Sequence, residues 1–307
     1  MNDTLALAPA LVANFQAKRV AAEHMPRCAL GEAATWSAAR GALLWTDIAG
    51  CRLWSFEPAT QHVRHWRLPA RLGSFALTPD PQRLLAAFEH QLAWLDLRHA
   101  EVTPLVDFDD KLPTRANDGR CDRAGHFVFG TLDELRGPTP LGHWWRFSAQ
   151  GTLSRMNLPA VTIPNGLAFS PDGARMYWCD SAQPRLDCGD YQAASGHVAK
   201  PQVFAAVPEG EPDGATIDAQ GNYWSAQWGA SCVLAFTPQG QVIARVQLPV
   251  SQPSCVAFGG PHWRTLYITT ARVGLSDAQL AQEADAGALF KVELPWVGLS
   301  ESVFGQA

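Results

Sequence analysis

The segment LAFSPDGARMYW, residues 167–178, joins an apolar run to a second run ending in Tyr177 and Trp178 through a Pro-Asp-Gly turn. Proline fixes the φ angle that opens a tight turn, and glycine supplies the positive φ that closes it. Two short runs connected in this way form a β-hairpin. The segment TIDAQGNYW, residues 216–224, repeats the arrangement with a different turn. The chain therefore contains a recurring hairpin unit.

The hairpin unit occurs six times along the chain. Equivalent positions fall at residues 36, 75, 121, 169, 217 and 258, so successive copies lie 39, 46, 48, 48 and 41 residues apart. A period of about 40–50 residues, with further strand-like runs between the copies, is typical of β-propellers. The pattern predicts an all-β fold, a six-bladed β-propeller with four antiparallel strands per blade. The Gly-His and Trp-Asp signature of WD repeats is missing.

The repeat covers nearly the whole chain, and no Ser/Gly-rich linker interrupts it. We therefore expect residues 18–307 to form a single propeller domain, preceded by a loose N-terminal lead-in at residues 1–17. A ring without a seam would leave two open sheet edges. Residues 18–26 are accordingly predicted to pair with the last blade near residues 288–295. One short helix is predicted at residues 276–284, with Ser276 as its N-cap.

The composition narrows the classes of function. A net charge of -5 without any Lys/Arg-rich run disfavours nucleic acid and acidic membranes as partners. The stretch 5–13 is interrupted by Pro9 and follows no basic residue, so it is not expected to be a signal peptide. Seven scattered cysteines without a CxxC pair predict unpaired thiols in a reducing compartment. We expect a cytoplasmic protein, monomeric, that binds a small molecule.

Oxygen-bearing side chains recur just ahead of four copies of the unit. They lie in the segments Leu30–Glu32, Thr114–Gly119, Ile163–Leu167 and Glu211–Gly214. Each residue alone could be a turn residue, because Asn and Asp favour such positions. Their common register, however, places Glu32, Asn165 and Asp213 around one mouth of the central channel. Together they predict a site.

Two carboxylates and one amide oxygen suit a hard divalent cation. Ca²⁺, Mg²⁺ and Mn²⁺ are favoured by such a set, and Zn²⁺ or Fe²⁺ remain open. Three protein ligands leave coordination positions for water and substrate, as a catalytic site requires. No GxSxG, HExxH, P-loop or GxGxxG motif occurs, so the sequence gives no support to covalent serine or cysteine catalysis.

The ordered motifs resemble the regucalcin (senescence marker protein)/gluconolactonase family, from about Cys28 to about Leu294. They are LGE (30–32), RANDG (115–119), GTLDE (130–134), PNGL (164–167), PDG (212–214), DAQGNYW (218–224), FGG (258–260) and LYITTA (266–271). The resemblance implies a six-bladed propeller that hydrolyses a sugar (aldono-) lactone to the aldonic acid. Gluconolactone, arabinonolactone and xylonolactone are examples, and one divalent metal cation is implied as cofactor.

The resemblance also implies roles for individual residues. It implies metal ligation by Glu32, Asn165 and Asp213, with Asp213 also the catalytic general base. It implies substrate contacts from Arg115, Asn117 and Glu134. The family usually has Glu-Gly-Pro where Ala33 and Ala34 follow Glu32 here, which leaves the local loop shape open.

Three other classes of protein stay open at this point. One is a metal-dependent hydrolase of other esters, either organophosphates or aryl esters. Another is a calcium-binding regulatory protein, although ion binding alone needs no sugar-binding arginine such as Arg115. The third is a propeller similar to strictosidine synthase, which lacks this ligand set. Three further carboxylates, those of Asp47, Asp118 and Asp180, are expected to hold turns or strand ends.

Overall fold

The computed structural model describes residues 12–108 and 111–306. Within them, six small antiparallel sheets are arranged as a six-bladed β-propeller, which confirms the predicted fold. Blade 1 holds the strands of residues 31–67, and blades 2 to 6 follow in chain order. Each of the six hairpin units forms the two innermost strands of one blade.

The strands are numbered in chain order. The first twelve are β1 (Ala13–Gln16), β2 (Lys18–Arg19), β3 (Gly31–Ser37), β4 (Ala42–Asp47), β5 (Arg52–Glu57), β6 (His62–Arg67), β7 (Leu72–Leu77), β8 (Arg83–Phe88), β9 (Gln91–Asp96), β10 (Glu101–Asp107), β11 (Thr114–Cys121) and β12 (Phe127–Asp133). The others are β13 (Trp144–Phe147), β14 (Leu153–Arg155), β15 (Pro164–Phe169), β16 (Arg175–Asp180), β17 (Arg185–Gln192), β18 (His197–Ala206), β19 (Glu211–Ile217), β20 (Tyr223–Trp228), β21 (Cys232–Phe236), β22 (Val242–Gln247), β23 (Pro253–Gly259), β24 (Thr265–Thr270) and β25 (Phe290–Glu293).

Helical structure is confined to short segments. A 3₁₀ helix spans Ala38–Arg40, and helix α1 spans Asp277–Gln282. Ser276 caps α1 as predicted, because its side chain accepts the backbone N–H of Gln279 while the Gln279 side chain reaches back. Among the described residues, no helix has the length and apolar character needed to cross a membrane.

The core lies between neighbouring blades. Trp36 of blade 1 stacks on Tyr267 of blade 6, with 5.8 Å between the ring centroids. Trp224 of blade 5 meets Phe258 of blade 6 edge-on at 5.6 Å. The aromatic residues that end the hairpin units thus pack blade against blade, as edge-on and offset contacts between aromatic rings favour.

The ring closes where the sequence predicts a seam. Strand β2 pairs antiparallel with β25, with Lys18 opposite Lys291 and Arg19 opposite Phe290. Strand β2 therefore supplies the outer strand that β23, β24 and β25 lack. This pairing covers an edge that would otherwise present unpaired backbone groups.

The expectation of a loose lead-in through residue 17 is wrong for residues 13–16. They form β1, which pairs in parallel with β22 and adds a fifth strand to blade 5. The physical reason is the alternating sequence Ala-Asn-Phe-Gln, which turns the Phe15 ring onto Trp296 at 5.9 Å. Residues 1–11 of the predicted lead-in lie outside the described residues.

Deletion of residues 1–19 should lower the unfolding midpoint by about 3 °C relative to deletion of residues 1–11. The longer deletion removes two strand pairings and the packing of Phe15, for which we expect a loss of about 2 kcal/mol. Differential scanning calorimetry of both truncated proteins measures the difference. Equal midpoints would contradict a stabilising seam.

The two ends of the channel differ. The C-terminal residues 297–305 contact the distal ends of the inner strands, through the bridges of Gly298 to Asp218 and of Val303 to Leu77. Glu301 of this segment pairs with Arg120 inside the channel, where both side chains are nearly buried. The C-terminal segment therefore covers the end of the channel opposite the predicted site, a feature that the sequence analysis did not identify.

Every innermost strand is irregular near its beginning. The pairing register shifts between Glu32 and Thr35, Leu72 and Ser74, Ala116 and Gly119, Asn165 and Ala168, Pro212 and Ala215, and Pro253 and Cys255. A β-bulge re-aims the side chains around it and is common beside active sites. The six bulges form a ring at the uncovered end of the channel.

Candidate active site

A cavity of about 150 Å³ opens at the bulged ends of the inner strands. Five of the six residues predicted for the site line it, namely Glu32, Arg115, Asn117, Asn165 and Asp213. They come from strands β3, β11, β15 and β19, which belong to blades 1, 3, 4 and 5. Residues far apart in the sequence are brought together because they occupy the same position in their repeats.

The bulges explain how the three predicted ligands turn toward the channel. Glu32 and Asn165 are each the last paired residue before a register shift, and Asp213 lies inside one. Gly166 follows Asn165 with a φ of 68°, and Ala33 follows Glu32 with a φ of 53°. Ala33 stands where the family usually has glycine, and the bulge is kept. An L-residue at this positive φ has a conformational cost that glycine does not have.

Two aspartates at strand ends hold the loops that precede the predicted ligands Asn165 and Glu32. The carboxylate of Asp180 accepts the backbone N–H groups of Thr162 and Ile163, both at 2.9 Å, just before Asn165. The carboxylate of Asp47 accepts those of Leu30 at 3.0 Å and Ala29 at 3.2 Å, just before Glu32. Both aspartates hold turns, as expected, and their partners are the backbones of the ligand-bearing segments.

Replacing Asp180 with alanine should destabilise the protein by about 1–3 kcal/mol, because it leaves partly buried N–H groups without an acceptor. The loss should also weaken cation binding, since the loop before Asn165 is no longer held. The control is Asp190→Ala, which removes an exposed carboxylate of the same blade paired with Lys200 and should cost little. Thermal unfolding of both variants tests the difference, and equal losses would contradict it.

The cavity gathers acidic side chains whose ionised forms are disfavoured. Burial, followed by the charge of Asp118, raises the pKa of Glu32 to about 8. Burial, followed by the charges of Glu32 and Asp118, raises the pKa of Asp213 well above its usual range. Asp118 does not line the cavity, and it accepts the backbone N–H of Leu167 at 2.8 Å, which fixes the neighbouring blade beside Asn165. Its structural role is as expected, and it adds to the repulsion between the two ligand carboxylates.

The donor set fits a divalent cation. Asp213 Oδ1 is buried and has no hydrogen-bond partner within residues 12–108 and 111–306. A buried carboxylate oxygen left in this way costs free energy unless something positive contacts it. In the described part of the chain, no three His, Cys, Asp or Glu side chains gather as a metal cluster. Asn165, the neutral ligand that the sequence predicts, lines the same cavity as the two carboxylates.

Hydrogen bonds connect the predicted substrate contacts to the predicted ligands. Arg115 donates to Asn117 Oδ1 at 2.8 Å, and Asn117 Nδ2 donates to Asn165 Oδ1 at 3.0 Å. Burial, with the nearby Arg71 charge, lowers the pKa of Arg115 to about 10, so its guanidinium stays charged at neutral pH. Arg115 and Asn117 thus place a guanidinium and an amide beside the predicted cation ligands. Both groups can donate hydrogen bonds to the hydroxyls of a polyhydroxylated ring.

Glu134 is the one predicted site residue that does not line the cavity. It is exposed, and its carboxylate accepts two hydrogen bonds from Arg71, at 2.7 and 3.3 Å. The hydrogen bond from Arg71 lowers the pKa of Glu134. Arg71 also pairs with Glu89, so that Glu134 belongs to a salt-bridge cluster beyond the cavity lining. Its contact with the substrate remains a prediction.

Sequence reasoning missed two residues of this region. Ser181 lines the cavity and accepts a hydrogen bond from Asn165 Nδ2 at 2.8 Å. A signal existed, because Ser181 directly follows the strand-end Asp180. Arg71 lies between strands β6 and β7, in a segment that carries no motif, so nothing in the sequence indicated its contact with Glu134.

The chain is similar to known proteins along most of its length. The family model for the SMP-30/Gluconolactonase/LRE-like region matches residues 30–272. The chain is 43% identical to L-arabinolactonase of Azospirillum brasilense over 91% of this chain and 93% of that protein. It is 35% identical to 6-deoxy-6-sulfogluconolactonase of Pseudomonas putida, over 90% and 94% of the two chains.

A solved structure with the same architecture is that of regucalcin from Agrobacterium tumefaciens, described as a calcium-binding protein. It superposes with a TM-score of 0.89 at 28% identity, covering 96% of this chain and 99% of the other. The similarity thus extends over nearly the whole chain.

Proposed function

Because the chain belongs to the SMP-30/gluconolactonase/LRE-like family, we propose that it hydrolyses the ester bond of a sugar lactone to give the open-chain aldonic acid. The observation that carries this proposal is the gathering of five predicted site residues in one cavity. Relatives that are 43% and 35% identical are named as lactonases, which supports the same class of substrate here. Arabinonolactone is the first substrate to test.

A divalent cation is part of the proposal. Glu32, Asn165 and Asp213 would hold it, and when bound it would supply Lewis-acid polarisation of the lactone carbonyl. The oxygen-only donor set favours Ca²⁺, Mg²⁺ or Mn²⁺, with Zn²⁺ and Fe²⁺ as further candidates. The calcium-binding description of the regucalcin structure supports a cation of this kind.

Asp213 is proposed as the general base. Burial and the neighbouring charge of Glu32 raise its pKa, and a more basic carboxylate accepts a proton from water more readily. Its Oδ1 atom, which has no hydrogen-bond partner among the described residues, is the oxygen proposed to contact the cation. The two oxygens of one carboxylate can then divide the functions of ligand and base.

The remaining residues bind and orient the sugar. Arg115 and Asn117 lie side by side in the cavity wall, where they can donate hydrogen bonds to ring hydroxyls. Holding the lactone in one orientation lowers the entropic part of the barrier. Leu132, Ile163 and Trp228 supply apolar wall around this polar floor, which limits the access of water.

The setting of the protein is also proposed. The seven cysteines are all unpaired, which suits a reducing compartment such as the cytoplasm. The cavity is built from a single chain, so a monomer is sufficient for the activity.

A panel of lactones tests the proposal. Glucono-, galactono-, arabinono- and xylonolactone would be offered to metal-stripped protein, with each cation added back, and acid release followed by a pH indicator. We expect hydrolysis of at least one sugar lactone well above the spontaneous rate, restored by one or more divalent cations. Turnover of aryl esters or organophosphates with none of the sugar lactones would favour the other ester class instead. Cation binding without any hydrolysis would favour a regulatory protein.

A further inference from the structure

A continuous chain of hydrogen bonds runs beneath the cavity, across blades 3, 4 and 5. It comprises Arg115 to Asn117 Oδ1 at 2.8 Å, Asn117 Nδ2 to Asn165 Oδ1 at 3.0 Å, Asn165 Nδ2 to Ser181 Oγ at 2.8 Å, and Ser181 Oγ to the Pro212 carbonyl at 2.5 Å. All four donating side chains are buried, so water does not compete for these bonds. Pro212 directly precedes Asp213, so the chain connects two of the ligand-bearing strands.

The direction of every bond in this chain is fixed by its two ends. A guanidinium only donates hydrogen bonds, and a proline carbonyl only accepts them. The hydroxyl of Ser181 has one proton, which it gives to the Pro212 carbonyl, so toward Asn165 it can only accept. Asn165 must therefore direct its Nδ2 to Ser181 and its Oδ1 to the side of Asn117 and the cavity.

We propose that Ser181 is a positioning residue that holds the Asn165 amide with its oxygen, and not its nitrogen, toward the cation. The inference rests on the proposed function, in which Asn165 is a cation ligand. An amide oxygen has two lone pairs, so Oδ1 can accept from Asn117 and still coordinate. An amide turned by 180° would present two N–H groups to a positive charge. Outer-shell hydrogen bonds of this kind typically change metal affinity or activity by about 10–100-fold.

Ser181 holds the Asn165 amide from its Nδ2 side, and Asn117 contacts it from its Oδ1 side. Without Ser181, the Nδ2 group of Asn165 loses its acceptor, and the Pro212 carbonyl loses the hydroxyl donor, so the preference between the two amide orientations is weakened. Without Asn117, Asn165 Nδ2 keeps its Ser181 acceptor, and Oδ1 loses only a donor that occupies one of its lone pairs, which leaves that oxygen available to the cation. Cation affinity should therefore depend on Ser181, and substrate affinity on Asn117.

The test compares four proteins by isothermal titration calorimetry with Mn²⁺ and with Ca²⁺. Ser181→Ala should raise the cation dissociation constant about 10–100-fold. Ser181→Thr keeps the hydroxyl that bonds Asn165, so its cation dissociation constant should stay within about threefold of that of the unaltered protein. The matched control is Ser148→Ala, which removes another buried serine hydroxyl, bonded to the Thr152 backbone and remote from the cavity. It should leave the constant unchanged.

A second comparison keeps the inference testable should Ser181→Ala fail to fold. Asn117→Ala should raise KM for the lactone while changing the cation dissociation constant by less than about tenfold. An equally large loss of cation affinity in Asn117→Ala would overturn the assignment of Ser181 as the anchor. So would equal cation affinities of Ser181→Ala and Ser148→Ala. If the unaltered protein hydrolyses lactones but binds no cation, this inference and the cation in the proposed function both fall.

Discussion

Asp213→Asn should lower kcat for a sugar lactone by at least about 1,000-fold. A general base contributes about 10²–10⁴-fold by itself, and the same substitution removes a charged cation ligand. The asparagine keeps the shape of the side chain, so the cavity is conserved. Steady-state rates at saturating lactone and cation measure the effect, and lactonase activity within tenfold of the unaltered protein would rule out the proposed mechanism.

The same substitution should not weaken the fold. Burial and the charges of Glu32 and Asp118 make ionised Asp213 costly in the cation-free protein. A neutral amide removes part of that repulsion, so the unfolding midpoint in chelator should stay equal or rise. Loss of activity with an unchanged midpoint would separate a chemical role from a structural one.

The matched control is Glu211→Gln. Glu211 lies on the same strand, β19, and lines the same cavity, but it is exposed. If the acidity of the cavity were the cause of the effect, both substitutions would act alike. We expect the Glu211 variant to keep its activity within about tenfold, because an exposed carboxylate is screened by solvent.

The fold could be predicted from the sequence because turn chemistry repeats with a fixed period. The turn at Gly173 has a φ of 72° and that at Gly221 a φ of 82°, so both glycines stand where the hairpin needs positive φ. Local signals of this kind survive in a single sequence. The seam at Lys18 followed from the need to cover sheet edges, which is a general constraint.

Features that depend on one long-range contact could not be predicted. Strand β1 exists because Phe15 reaches Trp296, and the covered end of the channel depends on Glu301 meeting Arg120. Neither pair has a motif, a period or a fixed spacing. Four alternating residues are too few to distinguish a strand from a lead-in, so the register with β22 is decided by the tertiary structure.

The candidate site, like the fold, could be predicted from the sequence only in part. Register within the repeat located Glu32, Asn165 and Asp213, since equivalent positions of blades meet at the channel. Register gives no information on which side chains then bond to one another. Glu134 satisfies the motif but is engaged by Arg71, and Ser181 bonds Asn165 without belonging to any motif.

Removal of divalent cations should abolish lactonase activity and lower the unfolding midpoint. Burial and mutual repulsion raise the pKa of both Glu32 and Asp213, so ionising them is costly without a cation, and a cation held between them offsets that cost. When free cation is about 100 times its dissociation constant, mass action contributes about 2.7 kcal/mol to stability. For a domain of this size that corresponds to a shift of about 4 °C.

Two substitutions make this experiment specific to the cavity. Glu32→Gln should leave the midpoint measured in chelator equal or slightly higher at neutral pH, because a pKa of about 8 keeps most of Glu32 uncharged there, while it lowers the response to added cation. Asn165→Ala removes a neutral ligand, so it should mainly weaken affinity, and excess cation should restore part of the activity. Asp190→Asn changes an exposed carboxylate paired with Lys200 and should respond to cation like the unaltered protein.

The response to chelator depends on whether the side-chain oxygens of Glu32, Asn165 and Asp213 bind a cation or only hold turns. Turn residues satisfy their hydrogen bonds within the protein, as Asp180 does with the backbone before Asn165. Asp213 Oδ1 has no such hydrogen bond within the part of the chain that the structure describes. If no cation contacted this oxygen, burial would favour an apolar residue at position 213. A midpoint and a rate of lactone hydrolysis that chelator leaves unchanged would show that no cation stabilises this oxygen, and the ligand assignment of Glu32, Asn165 and Asp213 would be wrong.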